Sequence, residues 1–378
     1  MALFYTAVFA AVGIYIPFFP LWLESRALAA GEIGLVLAVP MAVRAVVTPL
    51  MVSFGDRVSD RRTITILYAT LAFLFLGFLF LASGFWQIVF VVVCVAIFWD
   101  TLVPLGDAIA LSGVRKFGMD YGRVRLWGSV SFVGANIAAG ALISALSGSV
   151  VLPVLFVAYG LVALSTVMLP KGEVAGKQSP DSQTVTSPRA FRHPVLLLSL
   201  AIGALCQSSH AMVYAFGSLY WQKSGFSGLE IGVLWAVGVV AEVALFALSK
   251  PVLARLGTSG LLAVGAVAVI VRWLLFPIHW SFTGYFVLQI LHGATFGAAH
   301  LGVMHSISRG VPDAQTGRAQ ATYFFISGVM MAFMTIMSGQ LFVRFGVDSF
   351  TVMALLGVVA FGLWLMMQRL EKQSASTP

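Results

Sequence analysis

Phe18–Ala38 reads FFPLWLESRALAAGEIGLVLA, and Phe216–Ala236 reads FGSLYWQKSGFSGLEIGVLWA. At a constant offset of 198 positions, Glu32-Ile33-Gly34 meets Glu230-Ile231-Gly232. In both stretches an apolar run ends in a polar turn, and a second apolar run begins at Glu-Ile-Gly. The chain therefore repeats itself over half its length. Further on, Gly122-Arg123 and Gly317-Arg318 stand before two later apolar runs and extend the correspondence.

Outward from this pair, turn residues and charges cut the 378 residues into twelve apolar segments, near 2–23, 33–55, 63–83, 88–112, 127–147, 150–169, 195–221, 231–249, 258–278, 285–307, 320–343 and 349–368. At about 1.5 Å rise per residue, runs of about 20 residues cross a hydrocarbon core of about 30 Å. With 60% of residues hydrophobic and 10% charged, the composition excludes an ordinary soluble domain. The expected fold is an all-α integral membrane protein of twelve transmembrane helices in two pseudo-symmetric halves: residues 1–170, a polar Ser/Thr/Pro-rich cytoplasmic linker at 171–193, and residues 194–378. Six spans per half start both repeats on the same side, and parallel repeats of this kind bind their cargo near the midplane and rock about it. The run from Ala2 to Leu23 has no basic leader or small-residue cleavage site, so it reads as the first span.

Lys and Arg set the sidedness. Of 22, only Arg26, Lys223 and Arg344 fall in the loops opposite the N-terminus, and Arg44 and Arg272 fall within spans. The remaining 17 lie on the N-terminal side, which places both termini in the cytoplasm. The formal charge of +8 thus reflects topology and gives no reason to expect a nucleic-acid partner. Cys94 and Cys206 lie inside spans and suggest neither a disulfide framework nor a metal site.

A charge at the bilayer centre costs from about 3 to over 10 kcal/mol, so such residues face protein or a watery cavity. Arg44 is eleven residues from either end of span two, and Asp100 twelve from either end of span four. Glu242 lies close to the middle of span eight and, at the 198 offset, is the counterpart of Arg44. These residues read as a proton and substrate site, or alternatively as an ion pair that only locks helices together. Desolvation favours a protonated carboxyl and a neighbouring guanidinium an ionised one, so movement of Arg44 would switch proton affinity. Pro104 deprives the Asp100 carbonyl of its helical donor and predicts a bend there. His210 sits in a polar patch, Gln207-Ser208-Ser209-His210, in span seven, and Gln289, His292, Phe296 and His300 share one face of span ten. The histidines are candidates for the same site or hydrogen-bonded structure. Asp107, deeper in span four, is a gate contact or an interfacial anchor. Arg272 beside Trp273 reads as a structural residue that snorkels or pins a neighbouring helix. The row Ser131, Ala135, Ala139 predicts a close helix contact along span five. No H-E-x-x-H or G-x-S-x-G motif supports an intramembrane enzyme.

Asp56-Arg57-Val58-Ser59-Asp60-Arg61-Arg62, between spans two and three, resembles the signature of the major facilitator superfamily, with Val52 and Ser59 where that signature carries glycines. Pro104-Leu105-Gly106-Asp107-Ala108, Asp120-Tyr121-Gly122-Arg123-Val124-Arg125-Leu126-Trp127-Gly128-Ser129, Gly238-Val239-Val240-Ala241-Glu242, Arg272-Trp273 and Gln289-Ile290-Leu291-His292-Gly293 look like the phenylpropionate permease family. The resemblance implies the major facilitator fold and a monomeric proton symporter of the inner membrane, related distantly to lactose and nucleoside symporters. It implies a small organic solute as cargo, an aromatic carboxylate first, and no cofactor beyond the proton gradient. Spans 1, 4, 7 and 10 would line the cavity, which turns Asp100, His210, His292 and His300 inward, with Arg44 and Glu242 nearer the join of the halves. Asp56, Arg57, Arg61, Arg62, Asp107, Arg123 and Arg125 would form the cytoplasmic gate and its motif.

Overall fold

The computed structural model describes residues 1–57, 60–117, 121–170 and 193–376, with side chains except at 45, 55–57, 115–117, 313–314 and 374–376. The proposed linker at 171–193 therefore lies, except for His193, outside the described residues. Regular structure here is helical because a bilayer offers backbone N–H and C=O groups no partner, and a helix satisfies them within itself. In chain order the helices are α1 (Ala2–Ser25), α2 (Ala30–Arg57), α3 (Arg61–Gly77), α4 (Phe85–Trp99), α5 (Leu102–Phe117), α6 (Tyr121–Leu146) and α7 (Val151–Val167). Then follow α8 (Pro194–Ser208), α9 (Ala211–Lys223), α10 (Gly228–Ala247), α11 (Ser249–Leu275), α12 (Phe282–Ile290), α13 (Ala299–Gly310), α14 (Asp313–Phe345) and α15 (Met353–Ser376).

Among the described residues ten helical runs are long and apolar enough to cross a membrane, and eleven with the bent α2 counted as one span. One of those runs, Gln315–Gln373, has 59 residues. As a single helix it would be about 88 Å long, almost three hydrocarbon cores. It is instead α14 and α15, parted by a 3-10 stretch, Gly346–Val352, whose first residue has φ 54°, a backbone that glycine adopts without strain. The count is thus consistent with twelve spans. Large apolar side chains that stand out of the protein, such as Leu81, Trp86 and Phe90, belong to its lipid-facing surface.

Among the described residues several spans are broken or bent, two of them at prolines. α2 bends by 45° between Ala30–Arg44 and Val46–Phe54, where Pro49 leaves the carbonyl of residue 45 without its helical donor. α4 stops at Trp99 and α5 resumes at Leu102, the interruption that Pro104 predicts. Span seven breaks between α8 and α9 at Ser209 and His210. Span ten passes from α12 to α13 through a π-helical stretch, Gly293–Ala298. Neither of these last two breaks has a proline to announce it.

Two compact units result. The first comprises Met1–Ser182 with Tyr214–Ala236; in it α1 packs on α6 and α7, and α3 on α4 and α7. The second comprises Gln183–Val213 with Val237–Pro378; in it α8 is surrounded by α11, α13, α14 and α15. The hairpin joining α9 to α10 belongs to the first unit. Lys223 Nζ lies 2.7 Å from Glu24 Oε1, and the Leu229 amide donates to Ser144 Oγ at 2.9 Å. A Cβ on Gly140 would stand 2.3 Å from the Gly228 carbonyl oxygen, and one on Gly232 2.3 Å from that of Asn136. The backbone of span five meets glycines at Asn136 and Gly140 toward α10 and at Phe132 toward Gly13 of α1, one position beyond the expected Ser131, Ala135, Ala139 row, of which Ala139 is also buried. Backbone-to-backbone approach at glycine decides the face, and alanine cannot supply it.

Glu32 and Glu230, the acids of the repeat, have one structural task. Glu32 Oε2 accepts from the Ala29 amide at 2.8 Å, and Glu230 Oε2 accepts from the Ser227 amide and hydroxyl, both at 2.8 Å. Each closes the first turn of its helix by reaching back to amides that lack intrahelical acceptors.

Candidate functional site

Within the first unit the breaks bring Arg44 and Asp100 together. Arg44 stands at the bend of α2, and Asp100 caps α4 with its own amide bonded to the Ala96 carbonyl at 3.1 Å. The guanidinium Nη1 and the carboxylate Oδ1 are 3.7 Å apart, and their side chains are 43% and 22% exposed. That distance is an ion pair without a direct hydrogen bond, and the exposure leaves room for another group to reach Arg44. Aromatic rings border it. Tyr15 from α1 and Tyr159 from α7 lie within electrostatic reach of Asp100. Trp99 stacks on Tyr159 with centroids 4.0 Å apart, and Tyr15 stacks on Phe19 at 4.6 Å. The first unit thus presents a cation, an acid and flat apolar walls.

A second polar group in the same unit centres on Asp107. Its Oδ1 accepts from the Tyr5 hydroxyl, from the Tyr121 hydroxyl at 2.9 Å and from Arg125 Nη1 at 2.9 Å. Arg125 also donates to Asp107 Oδ2 at 3.1 Å and to the Tyr121 hydroxyl at 3.0 Å. Its guanidinium lies over the rings of Tyr5 and Phe9. One carboxylate therefore ties α1, α5 and α6. Asp60 caps α3 by accepting from the Arg62 amide at 3.1 Å, while the Arg62 side chain donates to the Val167 carbonyl at the end of α7. Arg61 opens α3, and Arg123 lies in the first turn of α6. The side chains of Asp56 and Arg57 lie outside the described residues.

In the second unit the remaining candidates gather around Arg272, which the sequence marks as structural. Arg272 is buried, 1% exposed, and does not snorkel. Its Nη2 donates to Gln289 Oε1 at 2.7 Å; its Nη1 donates to Thr295 Oγ1 at 3.0 Å and to His292 Nδ1 at 3.2 Å. The guanidinium lies 4.7 Å from the Trp273 ring centroid. Three acceptors and an aromatic face outweigh the pull of the interface, which is why the head stays inside. It pins span ten, as expected of it, but from within the candidate site.

His210, in the break between α8 and α9, has Nε2 2.9 Å from Thr295 Oγ1 and Nδ1 3.1 Å from the carbonyls of both Cys206 and Gln207. His292 Nε2 lies 3.7 Å from Glu242 Oε2. His292 rests against Gly238 and Glu242 against Gly297, positions where a larger residue would fill the space. His292, Phe296 and His300 stack in succession along span ten, at 5.3 and 6.2 Å between centroids. His300 is flanked by Phe246, Tyr323 and Phe324 and lies within electrostatic reach of Glu242. Thr295 escapes a reading of the sequence because a lone threonine in an apolar helix carries no signal; the π-helical stretch aims it at two partners. Among the described residues no group of three or more His, Cys, Asp or Glu is placed to hold a metal.

The sequence profile described as the MFS_1 like family matches residues 1–370. Over 370 residues the chain is 33% identical to the probable 3-phenylpropionic acid transporter of Escherichia coli (strain K12), covering 96% of each. It is 26% identical over 373 residues to the maltose permease of Geobacillus stearothermophilus, covering 94% of this chain and 92% of that one. Among solved structures, the nucleoside transporter NupG superposes with a TM-score of 0.83 at 16% identity, over 98% of both chains. A bacterial homologue of the human lysosomal transporter Spinster, inward-facing and unoccupied, superposes with a TM-score of 0.73 at 17% identity, over 97% of this chain and 95% of that one. At such identities the structures speak for the fold alone.

Proposed function

The chain belongs to the MFS_1 like family of the major facilitator superfamily, a multi-pass membrane transporter and not an enzyme, and from that premise we propose that it is a proton-coupled symporter. It imports a small organic solute, an aromatic carboxylate such as 3-phenylpropionate, across the inner membrane by alternating access. Both termini are cytoplasmic, it works as a monomer, and the proton gradient is its energy source without a cofactor. The two six-helix halves, 1–170 and 194–378, rock about the charged centre.

The observation that carries this reading is the Arg44–Asp100 pair, 3.7 Å apart and partly exposed beside stacked aromatic rings. A substrate carboxylate bonding to Arg44 removes the counter-charge from Asp100. In a site of low dielectric the resulting bare carboxylate is costly, and uptake of a proton neutralises it. Substrate and proton therefore bind together. Release of the substrate inside returns Arg44 to Asp100, which then gives up its proton. The aromatic walls supply the ring with apolar contact. Glu242, in the second unit, is a further acid placed to exchange a proton. The relative named for 3-phenylpropionic acid supports the choice of cargo.

A polyhydroxylated cargo is the second reading, favoured by the maltose permease relative and by the hydrogen-bonding side chains of the second unit. Uptake of labelled 3-phenylpropionate into vesicles, challenged with excess benzoate, maltose or a nucleoside, separates the two. Competition by the aromatic acid alone supports the carboxylate reading. Competition by the sugar or nucleoside alone contradicts it.

A further inference from the structure

The hydrogen bonds of the second unit fix more than positions. Arg272 can only donate, so the His292 Nδ1 facing its Nη1 at 3.2 Å must carry a lone pair. The hydrogen of a neutral ring then lies on Nε2, which faces Glu242 Oε2. At His210 the order is reversed. Nδ1 lies 3.1 Å from two backbone carbonyls, which can only accept, so Nδ1 carries the hydrogen. Nε2 then has a lone pair for the Thr295 hydroxyl, 2.9 Å away. Thr295 has one hydrogen to give and accepts from Arg272 at 3.0 Å, so direction runs unbroken from Arg272 through Thr295 to His210 and on to the carbonyls of Cys206 and Gln207. Were His210 protonated, Thr295 would have to turn to the His292 carbonyl at 3.4 Å, and a second cation would sit one hydroxyl away from Arg272.

We propose that Arg272 is a positioning residue that locks His210 and His292 as neutral imidazoles of opposite tautomer, leaving Glu242 as the proton-exchanging group of this cluster. Among the described residues, Arg272 from α11 and Glu242 from α10 stand against the ring of His292, which itself faces His210; Cys206 of α8 meets His210 through its carbonyl, and His300 of α13, beside Tyr323 of α14, stacks on the far side of Phe296. Two histidines that a sequence marks as proton carriers thus act as fixed hydrogen-bonding parts. His292 offers Glu242 an N–H in both protonation states of the acid, and His210 ends the chain. The transport consequence rests on the proton-coupled reading above; the tautomers do not.

The test is 15N-histidine NMR of the full chain in lipid nanodiscs, with resonances assigned by single His→Gln variants. The wild type should show His210 protonated on Nδ1 and His292 on Nε2, both neutral from pH 5.5 to 8. Thr295→Val takes away the donor to His210 Nε2 and should shift that nitrogen's resonance to that of an unbonded lone pair with the ring still neutral, and Thr295→Ser should restore the wild-type spectrum. An imidazolium signal from either ring in the wild type, the opposite tautomers, or a Thr295→Val protein with an unchanged His210 spectrum would overturn the proposal. Wild-type vesicles that show the expected tautomers yet ignore a pH gradient would leave it standing and remove the symport reading.

Discussion

Arg44 and Asp100 are the residues on which the transport reading turns, and each has its own expected signature. A charge-assisted hydrogen bond is worth about 1.5–3 kcal/mol, which corresponds to about 10–150-fold in affinity. Arg44→Gln should raise the KM for an aromatic carboxylate by that factor in initial-rate uptake assays. Asp100→Asn keeps the shape and loses the exchangeable proton. It should preserve exchange of labelled for unlabelled substrate and abolish accumulation against a gradient. Glu242→Gln should show the same split; unimpaired uphill uptake by that variant removes Glu242 from the coupling mechanism. At this scale the sequence is informative where a residue is costly in a membrane. Arg44, Asp100 and Glu242 stand out because charges in apolar runs must have a reason. Tyr159 and Thr295 do not stand out, since one tyrosine or threonine among many apolar residues costs little. Arg272 was visible, but its setting was not, because the acceptors that hold it come from span ten and from a π-helical stretch that no residue pattern announces.

Elements show which parts of a helix are written locally and which are imposed by neighbours. The Glu32 and Glu230 caps are local, and their repetition at a fixed offset reveals two related halves before any contact is known. Pro104 likewise announces the break after Trp99, because a missing N–H acts on the carbonyl four residues earlier. The break at His210 and the contact row of α6 depend on other helices and are silent in the sequence. Two predictions belong here. Gly140→Leu should prevent the approach of α6 to the Gly228 carbonyl, and a disulfide formed between cysteines at Ser144 and Leu229 in the parent should be lost in that variant. Asp107→Asn leaves Arg125 and two tyrosine hydroxyls without a charged acceptor. A loss of about 1–3 kcal/mol is expected, read as a lower midpoint of thermal unfolding in detergent.

For the whole molecule, the twelve apolar segments, the parallel repeat and the asymmetry of Lys and Arg made the membrane fold legible from residue order alone. The way the hairpin at Lys223 and Leu229 joins the first unit was not legible, since it depends on glycines meeting backbones far away in the chain. On the proposed symport, coupling is likewise a property of the whole protein, because Asp100 would trade its proton only if the site opened to one side at a time. The most direct measurement is accumulation of labelled 3-phenylpropionate in proteoliposomes with the outside made acidic, compared with protein-free vesicles. Accumulation beyond the protein-free control that collapses with a protonophore is the predicted result. Uptake that ignores the gradient, or substrate driven out by it, would contradict the account.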